Sequence, residues 1–154
     1  MNTLHDEVYK IIDLLEENGF RSKLVGGCVR DEIMQIQPKD YDIASTATPK
    51  DILLCLKKHK YKCIPTGIEH GTVTVCLQSR LVEITTLRKD IKTDGRHAKV
   101  RFGTSFVEDA KRRDFTINAL YRDKNGKIYD FFDGQNHIKN KQLIFVGEPK
   151  IRIQ

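Results

Sequence analysis

The chain reads LVGGCVRD over residues 24–31 and DYD over residues 40–42. The first stretch predicts a short strand over residues 23–25, a Gly-Gly turn, and a helix over residues 29 to about 35. A second strand is predicted over residues 40–44. This segment therefore contains, in close succession, a strand, a glycine turn, a helix and an acidic strand. Both the fold and the function are inferred from it first.

Two aspartates lie on the second predicted strand. If Tyr41 is in a strand, alternation places Asp40 and Asp42 on the same face, with their Cα atoms roughly 6.6 Å apart. Such carboxylates repel each other unless a cation lies between them, and Mg²⁺ prefers hard oxygen ligands together with substrate phosphates. An acidic surface turn is the alternative, but aspartate beside Ile43 within a strand is disfavoured. The pattern therefore favours a Mg²⁺ site.

A third acid, Glu83, lies within an apolar strand predicted over residues 81–87. It could simply occupy the exposed face of a half-buried hairpin, which alternation permits. If this strand neighbours the aspartate strand, Glu83 completes a three-carboxylate site. Such a site has room for two Mg²⁺ ions at roughly 3.5–4 Å, as in polymerases and nucleases.

The glycine pair predicts a phosphate-binding element. Gly26 and Gly27 alone could mark an ordinary turn, which is the more common meaning of such a pair. Here a strand precedes them, a helix follows, and Arg30 lies one helical turn further on. A phosphate at this position would meet backbone N–H groups and a guanidinium together.

A basic run precedes a further polar pair. Ser105 and Glu108 have the spacing of a capping box, which predicts a helix that carries Arg112, Arg113 and Asp114. The run is by itself typical of a basic helix end. Asn118 follows Asp114 by four residues, so on one helix the two would share a face. An acceptor and an amide together suit ribose hydroxyls.

The remaining elements predict a mixed α/β fold of α+β-like character, with a sheet flanked by helices. Helical spacing of apolar residues predicts a helix over residues 4–15, and Thr48-Pro49 predicts the start of another that ends near residue 59. Residues 88–99 are polar and predict a mobile loop. Two hairpins are predicted from β-rich runs: 72–77 with 81–87, and 118–122 with 127–131. Because strand pairs are hairpins, the sheet is expected to be mixed or antiparallel.

Composition suits one domain of 154 residues with a net charge of +6. This charge is compatible with a nucleic-acid or nucleotide partner and equally with a well-solvated Lys-rich surface. The four cysteines show no C-x-x-C pair and no histidine at ligand spacing, which argues against a zinc site. The sequence shows no signal peptide and no membrane-spanning apolar run, so the cytoplasm is the expected location.

Four segments together resemble the catalytic head of the bacterial-type (class II) tRNA nucleotidyltransferases and poly(A) polymerases: residues 24–31, 40–42, 82–88 and 112–120. The resemblance implies the nucleotidyltransferase fold of the polymerase β superfamily. It also implies a role for each candidate residue: the Mg²⁺ ligands Asp40 and Asp42, the third acid Glu83, the nucleotide-binding Gly26, Gly27, Arg30 and Arg113, and the sugar-facing Asp114 and Asn118. Residues 94–96 resemble the family's flexible loop.

By this resemblance, residues 1–154 form a single catalytic head domain without the family's base-selecting motif and tRNA-binding domains. The implied activity is template-independent addition of CTP- and ATP-derived nucleotides to the 3′ end of tRNA, with two metal ions and release of pyrophosphate. Two alternatives remain open: a poly(A) polymerase head, and a non-catalytic nucleotide-binding module. Whether this chain is active alone is also left open. The chain is expected to bind tRNA weakly, because few phosphate contacts are available.

Overall fold

The computed structural model of the chain describes residues 3–77, 80–93, 97–147 and 152–153. The helices within this part are α1 (Thr3–Glu17), α2 (Gly27–Ile33), α3 (Pro49–Lys58), α4 (Phe106–Lys111) and α5 (Gly134–Lys139). The strands are β1 (Ser22–Val25), β2 (Tyr41–Ser45), β3 (Lys62–Gly67), β4 (Thr72–Cys76), β5 (Leu81–Thr86), β6 (Arg88–Thr93), β7 (His97–Phe102), β8 (Leu120–Arg122), β9 (Ile128–Asp130), β10 (Leu143–Ile144) and β11 (Arg152–Ile153). Single 3-10 turns cover Ile68–His70 and Thr116–Asn118.

Seven of these strands form one sheet in the order β3-β4-β5-β2-β1-β8-β9. The central pair β2 and β5 is parallel, whereas the other neighbouring pairs in this sheet are antiparallel. The predicted mixed sheet flanked by helices is therefore confirmed. Strands β6 and β7 form a separate antiparallel ribbon, as do β10 and β11.

The two faces of the sheet carry different cores. Tyr41 and Ile43 of β2 point into the larger core, which α1, α2 and α3 cover. The alternate residue Ala44 belongs to a smaller core that is covered by α4, around Phe106 and Tyr121. Alternation therefore places Asp42 on the same face as Ala44, and there Asp42 is exposed. One face of the sheet is thus closed, and part of the other is open to ligands.

Local sequence signals account for the two longest helices. Val8, Ile11, Ile12 and Leu15 of α1 are fully buried, as their helical spacing predicts. At the start of α3, the Thr48 hydroxyl accepts a hydrogen bond from the backbone N–H of Asp51, whose side chain completes the capping box. Both predicted helices are confirmed.

The predicted mobile loop over residues 88–99 is wrong in its secondary structure. Strands β6 and β7 pair without interruption from Arg88↔Phe102 to Thr93↔His97. Strand β7 does carry apolar residues at alternate positions, Ala98, Val100 and Phe102, but four of the six residues of β6 are charged, and this polar character hid the ribbon. Residues 94–96, which resemble the family's flexible loop, lie outside the described residues.

The helix that begins at Ser105 is shorter than predicted. The Ser105 hydroxyl accepts a hydrogen bond from the N–H of Glu108, as expected, but α4 ends at Lys111 and Arg112 is its C-cap. Arg113 and Asp114 therefore lie beyond the helix. Asn118 belongs to the following 3-10 turn rather than to a strand. The expectation that Asp114 and Asn118 share a helical face is wrong, because no continuous helix joins them.

Two boundaries and one strand also differ. Helix α2 begins at Gly27, earlier than predicted, and ends at Ile33. The hairpins of β4 with β5 and of β8 with β9 are confirmed. Edge strand β3 was not predicted. Among the described residues, no helix is long and apolar enough to span a membrane.

Candidate active site

Asp42 and Glu83 are side by side in the sheet. They are register partners on the parallel strands β2 and β5, and Thr74 of β4 is the register partner of Glu83. Neighbouring strands lie about 4.8 Å apart, so the two carboxylates can reach a common ligand. Asp40 precedes β2 by one residue and is exposed, like Asp42 and Glu83. The expectation that the strand of Glu83 neighbours the aspartate strand is therefore met.

The electrostatics of Asp42 reflect this crowding. Its side chain keeps access to solvent, but surrounding protein atoms reduce the hydration of its carboxylate. Reduced hydration and the negative charges of Glu83 and Asp40 raise the pKa of Asp42 to about 6, while the positive charge of Arg113 acts in the opposite direction. Oxygen donors that repel one another in this way are suited to a hard divalent cation. Within the described residues, however, no three acidic, histidine or cysteine side chains are grouped closely enough to hold a metal ion.

The raised pKa predicts a pH-dependent cost in stability. Because the folded chain binds the Asp42 proton more tightly than the unfolded chain, the stability gained below about pH 4 is lost as the pH rises through about 6. Asp42→Asn is therefore expected to stabilise the metal-free chain at pH 7.5. Since solvent screens an exposed carboxylate, we expect only about 1 kcal/mol at pH 7.5, and about a third of that at pH 4.5.

Thermal unfolding in EDTA at the two pH values measures this effect. Asp13→Asn is the matched control, because Asp13 is an exposed acid on α1 that forms no ion pair or hydrogen bond with the described residues. Equal stabilisation by Asp42→Asn at both pH values would contradict the electrostatic interpretation.

The glycine turn has a backbone conformation that requires glycine. Gly26 has φ 82° and ψ −138°, a combination that is nearly restricted to glycine. Its N–H donates to the carbonyl of Leu120 in β8, and its carbonyl accepts from the N–H groups of Val29 and Arg30. The turn thus connects β1 to α2, and the N–H groups at the very start of α2 have no acceptor within the helix. A Cβ at Gly27 would lie only 3.3 Å from Nη2 of Arg30.

Arg30 and Asn118 contact each other. Nη1 of Arg30 donates to Oδ1 of Asn118 at 2.8 Å, and the other edge of the guanidinium donates to Asp31 at 3.2 Å. The structure therefore joins a predicted phosphate ligand to a predicted sugar ligand. The NH₂ group of Asn118 forms no hydrogen bond with a described residue and is therefore available as a donor.

Arg113 belongs to a buried network that the sequence did not predict. Its guanidinium donates to Oδ2 of Asp109 at 3.1 Å and to the Tyr121 hydroxyl at 3.2 Å. Asp109 is 1 % exposed, and Tyr121 is fully buried in β8. The only sequence signal is spacing, because Asp109 precedes Arg112 and Arg113 by three and four residues.

Asp114 is separate from this network. Its side chain is exposed, and its Oδ1 accepts a hydrogen bond from the N–H of Phe115 at 2.6 Å. Its backbone carbonyl accepts from Val146, beyond β10. Of the candidate residues, the structure thus brings together Asp42 with Glu83 and Arg30 with Asn118, and it leaves Asp114 facing solvent.

Comparison with known proteins agrees with this arrangement. A family described as the poly A polymerase head domain matches residues 22–144. The chain belongs to this family. The matched region contains every candidate residue, from the glycine turn to Asn118. The recognition made from the sequence, a nucleotidyltransferase head, is therefore confirmed together with its fold.

Individual relatives of this head domain are named for tRNA processing. A CCA-adding enzyme from Oceanobacillus iheyensis is 46% identical over 144 residues, covering 92% of this chain and 35% of the relative. A solved CCA-adding enzyme of Bacillus stearothermophilus in complex with CTP is 36% identical, with a TM-score of 0.81 over 96% of this chain and 34% of the other.

A tRNA nucleotidyltransferase solved with a primer tRNA and an incoming ATP analogue is 27% identical, with a TM-score of 0.67 over 85% of this chain and 37% of the other. The chain thus spans about a third of the length of the curated relatives that it matches.

Proposed function

We propose that this chain is the catalytic head of a tRNA nucleotidyltransferase of the CCA-adding type. The observation that carries the proposal is the pairing of Asp42 with Glu83 on neighbouring parallel strands, close enough for their charges to interact. The relatives support the same reaction, since one binds CTP and another was solved with tRNA and an ATP analogue. In this reaction the 3′ hydroxyl of the RNA attacks the α-phosphate of the nucleotide and pyrophosphate leaves.

The acidic face offers carboxylate oxygens to a divalent cation, although no three of the described acids are grouped closely enough to enclose one. Nucleotidyltransferases of this kind generally use divalent metals. We propose Mg²⁺, because the donors are carboxylate oxygens only. Asp40 and Asp42 would hold the ion, with Glu83 as the third acid. When bound, such an ion lowers the pKa of the attacking hydroxyl and neutralises charge on the phosphates.

The other residues bind and orient the nucleotide in this proposal. The N–H of Gly26 is already donated to Leu120, so Gly26 would only shape the turn. The backbone N–H group of Gly27 and the guanidinium of Arg113 would hold the triphosphate, with support from the remaining donors of Arg30. Asn118 would offer its NH₂ group to the ribose, and Asp114 would accept from a ribose hydroxyl. Each residue thus contributes to holding the α-phosphate in line with the incoming hydroxyl.

A chimaera tests the proposed function. This chain replaces the matching third of the Oceanobacillus iheyensis CCA-adding enzyme, and the chimaera is given CTP and ATP with a tRNA that lacks its 3′-terminal nucleotides. We expect the tRNA to be extended, because the grafted chain supplies the catalytic carboxylates. A folded chimaera that binds nucleotide without extending the tRNA would contradict catalysis and favour the non-catalytic module.

A poly(A) polymerase head is the second candidate, because the matched family is described by that name. If the chimaera makes long A tails from ATP alone, this property must come from the grafted chain, and the result would favour a poly(A) polymerase head. If the grafted chain is a CCA-adding head, the choice between CTP and ATP is expected to follow the Oceanobacillus part of the chimaera. Weak tRNA binding by the isolated chain and a cytoplasmic location stay predictions of the sequence.

A further inference from the structure

Asp109 is the only acidic residue that is almost fully buried in the described part of the chain. Four residues donate hydrogen bonds to it. Its Oδ1 accepts from the backbone N–H of Arg88 and from Nε of Arg112, both at 3.1 Å. Its Oδ2 accepts from the Tyr121 hydroxyl at 2.6 Å and from Nη2 of Arg113 at 3.1 Å. One carboxylate thus joins the start of β6, the end of α4 and strand β8.

The charges in this network do not cancel. Two guanidinium groups, those of Arg112 and Arg113, form ion pairs with the single carboxylate of Asp109. Although burial alone would raise it, the pKa of Asp109 is held below its usual value by the charge of Arg113, the Tyr121 hydroxyl and the charge of Arg112. The carboxylate stays ionised, and one of the two positive charges is not balanced by Asp109.

The orientation of the Arg113 guanidinium shows which of its edges is bonded within the protein and which is not. Its Nε and Nη2 face Asp109 and Tyr121, while Nη1 forms no hydrogen bond with any described residue. The side chain is 20% exposed, and its positive charge acts on Asp42 of β2. One edge of the guanidinium is therefore fixed inside the protein, and the other is open beside the acidic face.

We propose that Asp109 is a positioning residue that holds the guanidinium of Arg113 beside the acidic face, so that its open edge can contact the nucleotide triphosphate. This inference rests on the proposed function and adds a residue to it that does not itself touch the substrate. Tyr121 assists, because its hydroxyl bonds to both partners. Fixing a long side chain in advance reduces the entropy that is lost when the phosphate binds.

Titration of the chain with MgCTP tests the inference. Asp109→Asn is expected to weaken binding about tenfold, because Arg113 loses its ionic anchor. Glu108→Gln is the matched control on the same helix, since the Glu108 side chain pairs with Lys111 alone among the described residues. It is expected to change affinity less than twofold. In an Arg113→Lys background, Asp109→Asn is expected to cause no further loss, as residues that act through one another are not additive.

The Nε–H signal of Arg113 in a nitrogen–proton correlation spectrum gives a readout that a general loss of stability would not change. The signal is assigned by its absence in Arg113→Lys, and it is expected to disappear or shift in Asp109→Asn under conditions where circular dichroism shows the fold intact. If Asp109→Asn does not fold, Tyr121→Phe is tested in its place. It is expected to weaken MgCTP binding about threefold, and to have no effect on binding in the Arg113→Lys background.

Two results would overturn the inference. In the first, Asp109→Asn weakens MgCTP binding equally in the Arg113 and the Arg113→Lys backgrounds. Asp109 would then act through a residue other than Arg113, and the proposed function would be unaffected. Failure of the unaltered chain to bind MgCTP at all would overturn the proposed function and this inference with it.

Discussion

Asp42→Ala is expected to reduce tRNA extension by the chimaera more than about 10³-fold, because a lost metal ligand removes several kcal/mol of transition-state stabilisation. The change is expected to leave the fold intact, since Asp42 is exposed on the open face of the sheet and its carboxylate is repelled by Glu83. Initial rates of labelled CTP incorporation measure the loss, and circular dichroism checks the fold.

Asp13→Ala is the control for this loss. Asp13 is also an exposed acid, but it lies on α1, and α1 packs on the closed face of the sheet. Its substitution is expected to change the rate less than twofold. Extension by Asp42→Ala within tenfold of the unaltered chimaera would show that Asp42 is not a metal ligand.

Gly134→Ala is expected to destabilise the chain by about 2–3 kcal/mol, a cost typical of forced overpacking. A Cβ at Gly134 would lie 2.5 Å from the carbonyl oxygen of Thr116 and 3.0 Å from its carbon. These are backbone atoms of the 3-10 turn that contains Asn118, so they cannot rotate away as a side chain could. Helix propensity alone would predict the opposite sign, because alanine is favoured over glycine in a helix.

Thermal unfolding measures this loss, which corresponds to a decrease in Tm of roughly 5–10 °C for a chain of this size. Gly103→Ala is the matched control, because a Cβ at Gly103 would meet no atom within 4 Å. We expect the control to change Tm by less than about 2 °C. Similar values of Tm for the two variants would mean that the contact between α5 and the 3-10 turn is loose.

The secondary structure that the sequence predicted correctly depends on local signals. Helix α3 follows from the Thr48 cap and Pro49, and the hairpins follow from alternating apolar runs. Strand β3 was missed because its sequence, KCIPTG, contains proline and glycine. Such residues are tolerated there because β3 is at the edge of the sheet, where a missing N–H donor leaves no neighbour unpaired.

In the candidate site, too, some residues follow from local sequence signals and others depend on tertiary packing. Alternation and an apolar context were sufficient to select Asp42 and Glu83, and the sheet register makes them neighbours. The contact of Asp109 with Tyr121 depends instead on how α4 packs against β8, which no local pattern encodes. The predicted pairing of Asp114 with Asn118 failed because α4 ends at Lys111 and the extended residue Phe115 separates Asp114 from the 3-10 turn of Asn118. The catalytic and binding roles of these residues stay predictions.

Anomalous diffraction from crystals of this chain soaked with CTP and Mn²⁺, in place of Mg²⁺, would locate both the metal ion and the nucleotide. We expect a manganese peak at the carboxylates of Asp40 and Asp42, with the triphosphate of CTP beside Gly27 and the guanidinium of Arg113. Manganese bound away from these aspartates, or CTP bound elsewhere on the chain, would show that these residues do not form the metal and nucleotide site.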